Sequence, residues 1–279
     1  MRYYLFPKFL QKLPLEELMH TCRELGVDGP TAMVRDGYWV QREDMAQTLP
    51  RYVAAAAAQG LMVTYAEPPF SLAEIPSLSR ELAILKDCGI TDFRVDFISK
   101  RIAGPYRRLR EVLRPLVERA ADAAGKAGLR MILQIHGHCY PHNATAAYPL
   151  LEGLDPRTVG VKLDPGNNLA QEGYELFDYQ IELLGEYIAA LGAKDACVQR
   201  SGDRLSPSKG WVRSFVPAYE GMADYPLIFR ELNKVGFDGP AILMPFYHDG
   251  DYDRLLECLR EEIAYFKRVE SEARSNATV

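Results

Sequence analysis

Residues 127–136 read Ala127-Gly128-Leu129-Arg130-Met131-Ile132-Leu133-Gln134-Ile135-His136. An amphipathic stretch ends in a glycine, and a short apolar run follows at once. Glycine suits the residue just past a helix, where positive φ is needed, so this junction predicts a helix handing over to a strand. The same junction recurs as Leu25-Gly26-Val27, Gln59-Gly60-Leu61, Cys88-Gly89-Ile90 and Val235-Gly236-Phe237. A repeated unit of this kind predicts a chain that alternates strand and helix.

Worked outward from these junctions, strands are expected at 2–6, 30–35, 61–67, 91–98, 130–136, 159–164, 189–197 and 240–246. Helices are expected at 14–25, 42–59, 78–88, 105–127, 143–153, 173–187, 225–235 and 251–272. Eight such units predict an α/β chain folded as a single (β/α)8 TIM barrel over residues 1–279, with 270–279 a frayed tail. The connection from Val198 to Asp224 is long for a compact domain and is expected to act as a lid.

Composition narrows the function classes. The chain is 48% hydrophobic and 25% charged, ordinary for a globular protein with a large core. A formal net charge of −5 and the lack of a basic run argue against a nucleic-acid partner. No apolar stretch approaches the length that spans a bilayer, so no membrane role is expected. Five scattered cysteines without CxxC spacing suggest a reducing compartment, hence the cytoplasm.

In a barrel of this kind, residues at and just beyond the strand C-termini build the site. With side chains alternating along a strand, Lys162 and Asp164 share the inner face of the sixth strand, opposite Val161 and Leu163. A buried lysine and carboxylate are costly unless paired or functional. Arg94 and Asp96 are expected at the mouth from the fourth strand, Glu67 at the end of the third, and Gly192 and Lys194 on one face of the seventh. His136, His138 and His142 follow the fifth strand with H-x-H-x3-H spacing, which reads either as a metal cluster or as ordinary loop histidines bonded to backbone. Together these residues describe a mixed-charge mouth suited to a small polyhydroxylated or anionic ligand.

The stretch Leu154-Asp155-Pro156-Arg157-Thr158-Val159-Gly160-Val161-Lys162-Leu163-Asp164-Pro165-Gly166-Asn167 resembles the sixth-strand signature of the xylose-isomerase-like superfamily of sugar isomerases and epimerases. Glu172-Gly173-Tyr174-Glu175, Ala193-Lys194-Asp195, Glu220-Gly221 and Gly236-Phe237-Asp238-Gly239 continue the resemblance in order. It implies a divalent metal held by a Glu, an Asp, a His and a Glu from strands five to eight, supporting proton or hydride transfer beside a carbonyl. Transferred to this chain, those four positions fall on Gln134, Asp164, Gly192 and Met244, so three of the four ligands are replaced.

The resemblance therefore implies a sugar isomerase/epimerase-like protein acting on a small carbohydrate or hydroxy-carbonyl compound, with a degenerate metal site. Asp164, Lys162, His136 and Glu67 are the expected catalytic residues. Arg94, Asp96, Gln134, His138, Asn167, Lys194, Arg200 and Glu220 are the expected ligand contacts. A divalent metal on Asp164, with His136 or Gln134 beside it, stays open as the cofactor. Lys162 is the expected substitute for the metal charge beside Asp164. Two alternatives remain: a metal-free lyase or aldolase-like enzyme using Lys162, and a non-catalytic carbohydrate-binding barrel. Homo-oligomerisation is left open.

Overall fold

The computed structural model describes residues 1–99, 105, 108–171, 174–202, 204, 205 and 209–276. Of the stretches quoted above, Glu172 and Gly173 lie outside them, as do residues 277–279. The barrel sheet is built from β1 (Arg2–Leu5), β2 (Gly29–Pro30), β3 (Ala32–Met33), β4 (Tyr65–Glu67) and β5 (Asp92–Arg94). After a short β6 (Ile98–Ser99) it continues with β7 (Arg130–Gln134); a short β8 (Cys139–Tyr140) then precedes β9 (Val159–Leu163) and β10 (Ile188–Ala193). An antiparallel pair, β11 (Asp195–Arg200) and β12 (Trp211–Val216), precedes the last barrel strand, β13 (Pro240–Leu243).

Nine strands pair in parallel in the order β2-β1-β13-β10-β9-β7-β5-β4-β3. The ends of that order, β2 and β3, are consecutive pieces of one segment divided only at Thr31, so eight strand positions make a nearly closed ring. The junction glycines Gly26, Gly60, Gly89, Gly128 and Gly236 all hold positive φ, between 69° and 80°. Each ends a helix in the left-handed conformation that a side chain would strain, and turns the chain into the next strand.

Period two then sorts the side chains. Leu5, Ala66, Phe93, Leu133, Val161, Leu163, Leu191 and Leu243 face the surrounding helices in one large apolar layer. Tyr4, Tyr65, Ile132, Ala190 and Ile242 fill the barrel interior, with Phe6, Met33 and Met244 toward the mouth. Each fully buried aliphatic or aromatic side chain contributes roughly 1.5–3 kcal/mol, so both layers matter to stability.

Two expectations need correction and a third gains detail. The seventh strand, expected to run through residue 197, breaks at Lys194, whose N–H turns back to Gly192 O at 3.0 Å. The long connection between Val198 and Asp224, expected to act as a lid, is built around the β11–β12 hairpin. The expected frayed tail is helical as far as Asn276. The last helix runs Tyr252–Asn276, and Glu270 pairs with the N-terminal ammonium at 2.6 Å and takes the Tyr3 hydroxyl at 2.7 Å. Among the described residues no helix is long and apolar enough to cross a membrane.

Candidate functional site

Below the mouth lies a pair of opposite charges that barely touch. Lys162, the inward residue of β9, is fully buried, with Nζ 3.9 Å from Glu67 Oε1, 3.9 Å from Met244 Sδ and 5.6 Å from the centre of the Tyr65 ring. At those distances Lys162 has no oxygen acceptor within hydrogen-bonding reach among the described residues. Glu67 ends β4; its Oε2 accepts from Arg94 Nε at 3.3 Å, whereas its buried Oε1 accepts no hydrogen bond among the described residues. Burial lowers the Lys162 pKa to about 8, with Glu67 opposing the shift and Arg94 adding to it. The group is therefore mainly an ammonium at pH 7 and mainly an amine above pH 8.

Asp164 is bound far more completely. Its Oδ1 accepts from Asn167 N at 2.9 Å, capping the short helix Pro165–Ala170, and its Oδ2 accepts from Gln134 Nε2 at 2.9 Å and Asn167 Nδ2 at 2.8 Å. Lys194 Nζ stands 3.4 Å from the same Oδ2 and donates to Asn167 Oδ1 at 2.7 Å. The capping helix was not among the expected elements. Its sequence signal is Asp164-Pro165, an N-cap acid followed by proline in the first turn. Lys194 lies against the Phe246 and Phe215 rings, 4.5 and 4.8 Å from their centres. Burial lowers the Lys194 pKa, with Asp164 opposing.

The structure thus reverses the expected pairing: the ammonium beside Asp164 is Lys194, and Lys162 faces Glu67. Gly192 sits directly over Asp164, since a Cβ there would stand 3.0 Å from Asp164 Oδ2. His136 Nδ1 contacts Gly137 O at 2.6 Å, and its ring lies 4.4 Å from Phe97. Burial lowers the His136 pKa, and a carbonyl can only accept, so a neutral imidazole keeps its proton on Nδ1 and leaves Nε2 as an acceptor.

Other expected contacts lie apart from this cluster. Asp96 is exposed on the rim, its carboxylate accepting from Phe97 N at 2.8 Å. His138 is exposed at a turn with φ of 62°, and the His142 ring lies 6.2 Å from Tyr140. Among the described residues no three His, Cys, Asp or Glu side chains come together to hold a metal, so the H-x-H-x3-H spacing does not form a ligand cluster. Arg200 is exposed on the hairpin against Trp211, 5.7 Å from its ring centre. Glu220 is exposed and lines a separate cleft with Tyr247 and Arg254. These corrections share one cause: beyond a strand end, alternation no longer sets direction, because the loop conformation does.

Sequence reasoning missed Lys8 and Arg35. Lys8 follows β1 and Arg35 follows β3, so their positions just past strand C-termini were the available signal.

The family model for the xylose isomerase-like TIM barrel matches residues 19–269. No curated protein matches the chain by sequence. Among solved structures, D-psicose 3-epimerase from Clostridium cellulolyticum H10 aligns with a TM-score of 0.72 at 13% identity, over 97% of this chain and 99% of its own. A xylose isomerase-like TIM barrel protein from Mycobacterium smegmatis, in complex with magnesium, aligns with a TM-score of 0.71 at 16% identity, over 98% and 97%. The probable 3-DHS dehydratase from Bacillus anthracis aligns with a TM-score of 0.68 at 17% identity, over 96% and 99%. At these identities the solved structures speak for the fold alone. The family match spans most of the chain, and with the parallel ring and its interior polar cluster it leads to one conclusion: the chain belongs to the xylose isomerase-like TIM barrel family.

Proposed function

We propose that this protein is a metal-independent enzyme that moves a proton beside the carbonyl of a small carbohydrate or hydroxy-carbonyl compound, in the manner of a sugar isomerase or epimerase. The observation that carries the reading is the pair of buried lysines beside the positions to which the family's metal ligands transfer. Lys194 lies 3.4 Å from Asp164 Oδ2, and Lys162 lies 3.9 Å from Met244 Sδ.

The residues present do not fit a hard divalent ion. Gly192 has no side-chain donor and Met244 offers only a thioether. Gln134 turns its amide N–H toward Asp164, and both Asp164 oxygens are already engaged. A cation placed beside Asp164 would also meet the Lys194 ammonium. No step is therefore routed through a metal.

The remaining groups support proton transfer. Glu67 Oε1 is a buried carboxylate oxygen with no hydrogen bond to lose, which suits a general base. Lys194 and Gln134 are donors for a carbonyl oxygen on which negative charge develops. Lys162, beneath them, offsets the Glu67 charge, and Asp164 with Asn167 holds Lys194 in place. Several neighbours in fold are epimerases and one is a probable dehydratase, reactions that share removal of a proton beside a carbonyl. A Schiff base on Lys162 is not favoured, since its side chain is 0% exposed.

The test is solvent-deuterium exchange at the carbon beside the carbonyl, followed by NMR across a panel of ketoses and hydroxy-keto acids with chelator-treated protein. Exchange on at least one compound is expected, unchanged by chelator. Glu67→Gln should slow it by roughly 10²–10⁴-fold, the usual contribution of a positioned base. A complete lack of exchange would favour the non-catalytic binding barrel. Exchange that appears only on adding Mg²⁺ or Mn²⁺ would overturn the metal-independent reading.

A further inference from the structure

The two cations that sequence reasoning missed stand beside the reactive cluster without partners. Lys8 is half-buried; its Nζ lies 5.5 Å from the centre of the Phe9 ring and 5.0 Å from that of Phe246, and it forms no hydrogen bond or ion pair among the described residues. Burial lowers its pKa, Arg35 lowers it further and Glu67 opposes. Arg35 likewise has no side-chain partner among the described residues. Phe246 carries Lys8 and Lys194 together, so the unpaired ammonium and the reactive one share a single aromatic wall.

From Lys8 a groove of about 440 Å³ runs outward between the segment after β1 and the segment after β13. Its lining includes Lys8, Lys12, Tyr38, His248 and Tyr252, and no carboxylate. Among the described residues, Arg35, Lys8, Lys194, Lys162 and Arg94 gather around Glu67 and Asp164. The chain as a whole has the opposite sign, with a net charge of −5. A partly desolvated cation with no carboxylate in contact with it is unfavourable by itself, and a concave wall concentrates its field toward an anion.

We propose that the ligand of this barrel carries an anionic group, a carboxylate or a phosphate, bound by Lys8 at the head of this groove. This rests on the reading of the mouth as a ligand site and adds the charge class of the ligand. The Phe9 and Phe246 rings cover part of Lys8, so hydrogen bonds from it to the anion form where water competes less than in the open. The carbonyl end of the same molecule extends past Phe246 toward Lys194 and Glu67.

Titration calorimetry at low ionic strength tests this with three probes: inorganic phosphate, glycerate, and the uncharged glycerol. Phosphate or glycerate should bind at least about tenfold more tightly than glycerol, and added salt should weaken the binding. The tighter of the two assigns the group as phosphoryl or carboxylate. Lys8→Ala should lose about tenfold in anion binding and Lys8→Arg should keep it, whereas Lys126→Ala, on the outer surface, should change nothing. Equal binding of all three probes, or an unaffected Lys8→Ala, overturns the proposal. The two readings fail separately. Anion binding without proton exchange removes the catalytic reading alone, and exchange without anion preference removes this one alone.

Discussion

Asp164→Ala should destabilise the protein by roughly 3–5 kcal/mol, the range seen when one partner of a buried ion pair is removed. The carboxylate accepts from Gln134, from both nitrogens of Asn167 and stands against Lys194, all of them buried. Truncation leaves the Lys194 ammonium without its charge partner, the helix Pro165–Ala170 without its cap, and a small cavity. Asp164→Asn keeps an oxygen for the cap and fills the space, so it should recover part of the loss. Denaturant midpoints measure both variants, and a loss below about 1 kcal/mol for Asp164→Ala would mean that the network contributes little.

A second large effect is the pH dependence of stability. Glu262 is fully buried; it accepts from Ala218 N at 2.8 Å and from the Tyr247 hydroxyl at 3.0 Å, and burial raises its pKa to about 8. Asp195, which accepts from the backbone N–H groups of Ala196, Met222 and Ala223, is raised to about 6 by burial. An acid with a raised folded pKa holds its proton longer in the native state than in the unfolded chain. Its contribution is full below the unfolded pKa and is lost as pH rises through the folded one. For Lys162 the folded pKa is lowered from 10.5 to about 8, so the native state is penalised below pH 8 and recovers as pH rises toward 10.5. Stability should therefore fall between pH 5 and pH 8, by a few kcal/mol at the order-of-magnitude level, and the Lys162 share should return above pH 8. Glu262→Gln should flatten the fall, and Lys162→Met the recovery. Melting temperatures across this range check both, and an unchanged slope in Glu262→Gln would contradict the assignment.

The opening junction, Ala127-Gly128-Leu129, shows why the barrel was legible. Helix period, a residue at positive φ and an apolar run are all local, and they recur around the chain. The faces of β9 were legible for the same reason: Val161 and Leu163 pack outward and Lys162 inward. Which lysine meets Asp164 was not legible. Lys194 reaches it because the chain turns back at Gly192, a break that counting along an unbroken strand cannot detect. Arg200, Glu220 and His138 stand exposed, apart from the buried cluster, because their segments leave the barrel wall. Lys8 was passed over because Pro7-Lys8 carries no motif, and its importance comes from Phe246 and Arg35 far along the chain.

If two lysines hold the place of a metal ion, the mouth of the barrel binds no divalent cation. Titration of Mn²⁺ into the chelator-treated protein, with its electron spin signal as readout, tests it most directly. No saturable site is expected at millimolar Mn²⁺, in the wild type or in Asp164→Asn. One-to-one binding by the wild type that disappears in Asp164→Asn would contradict it.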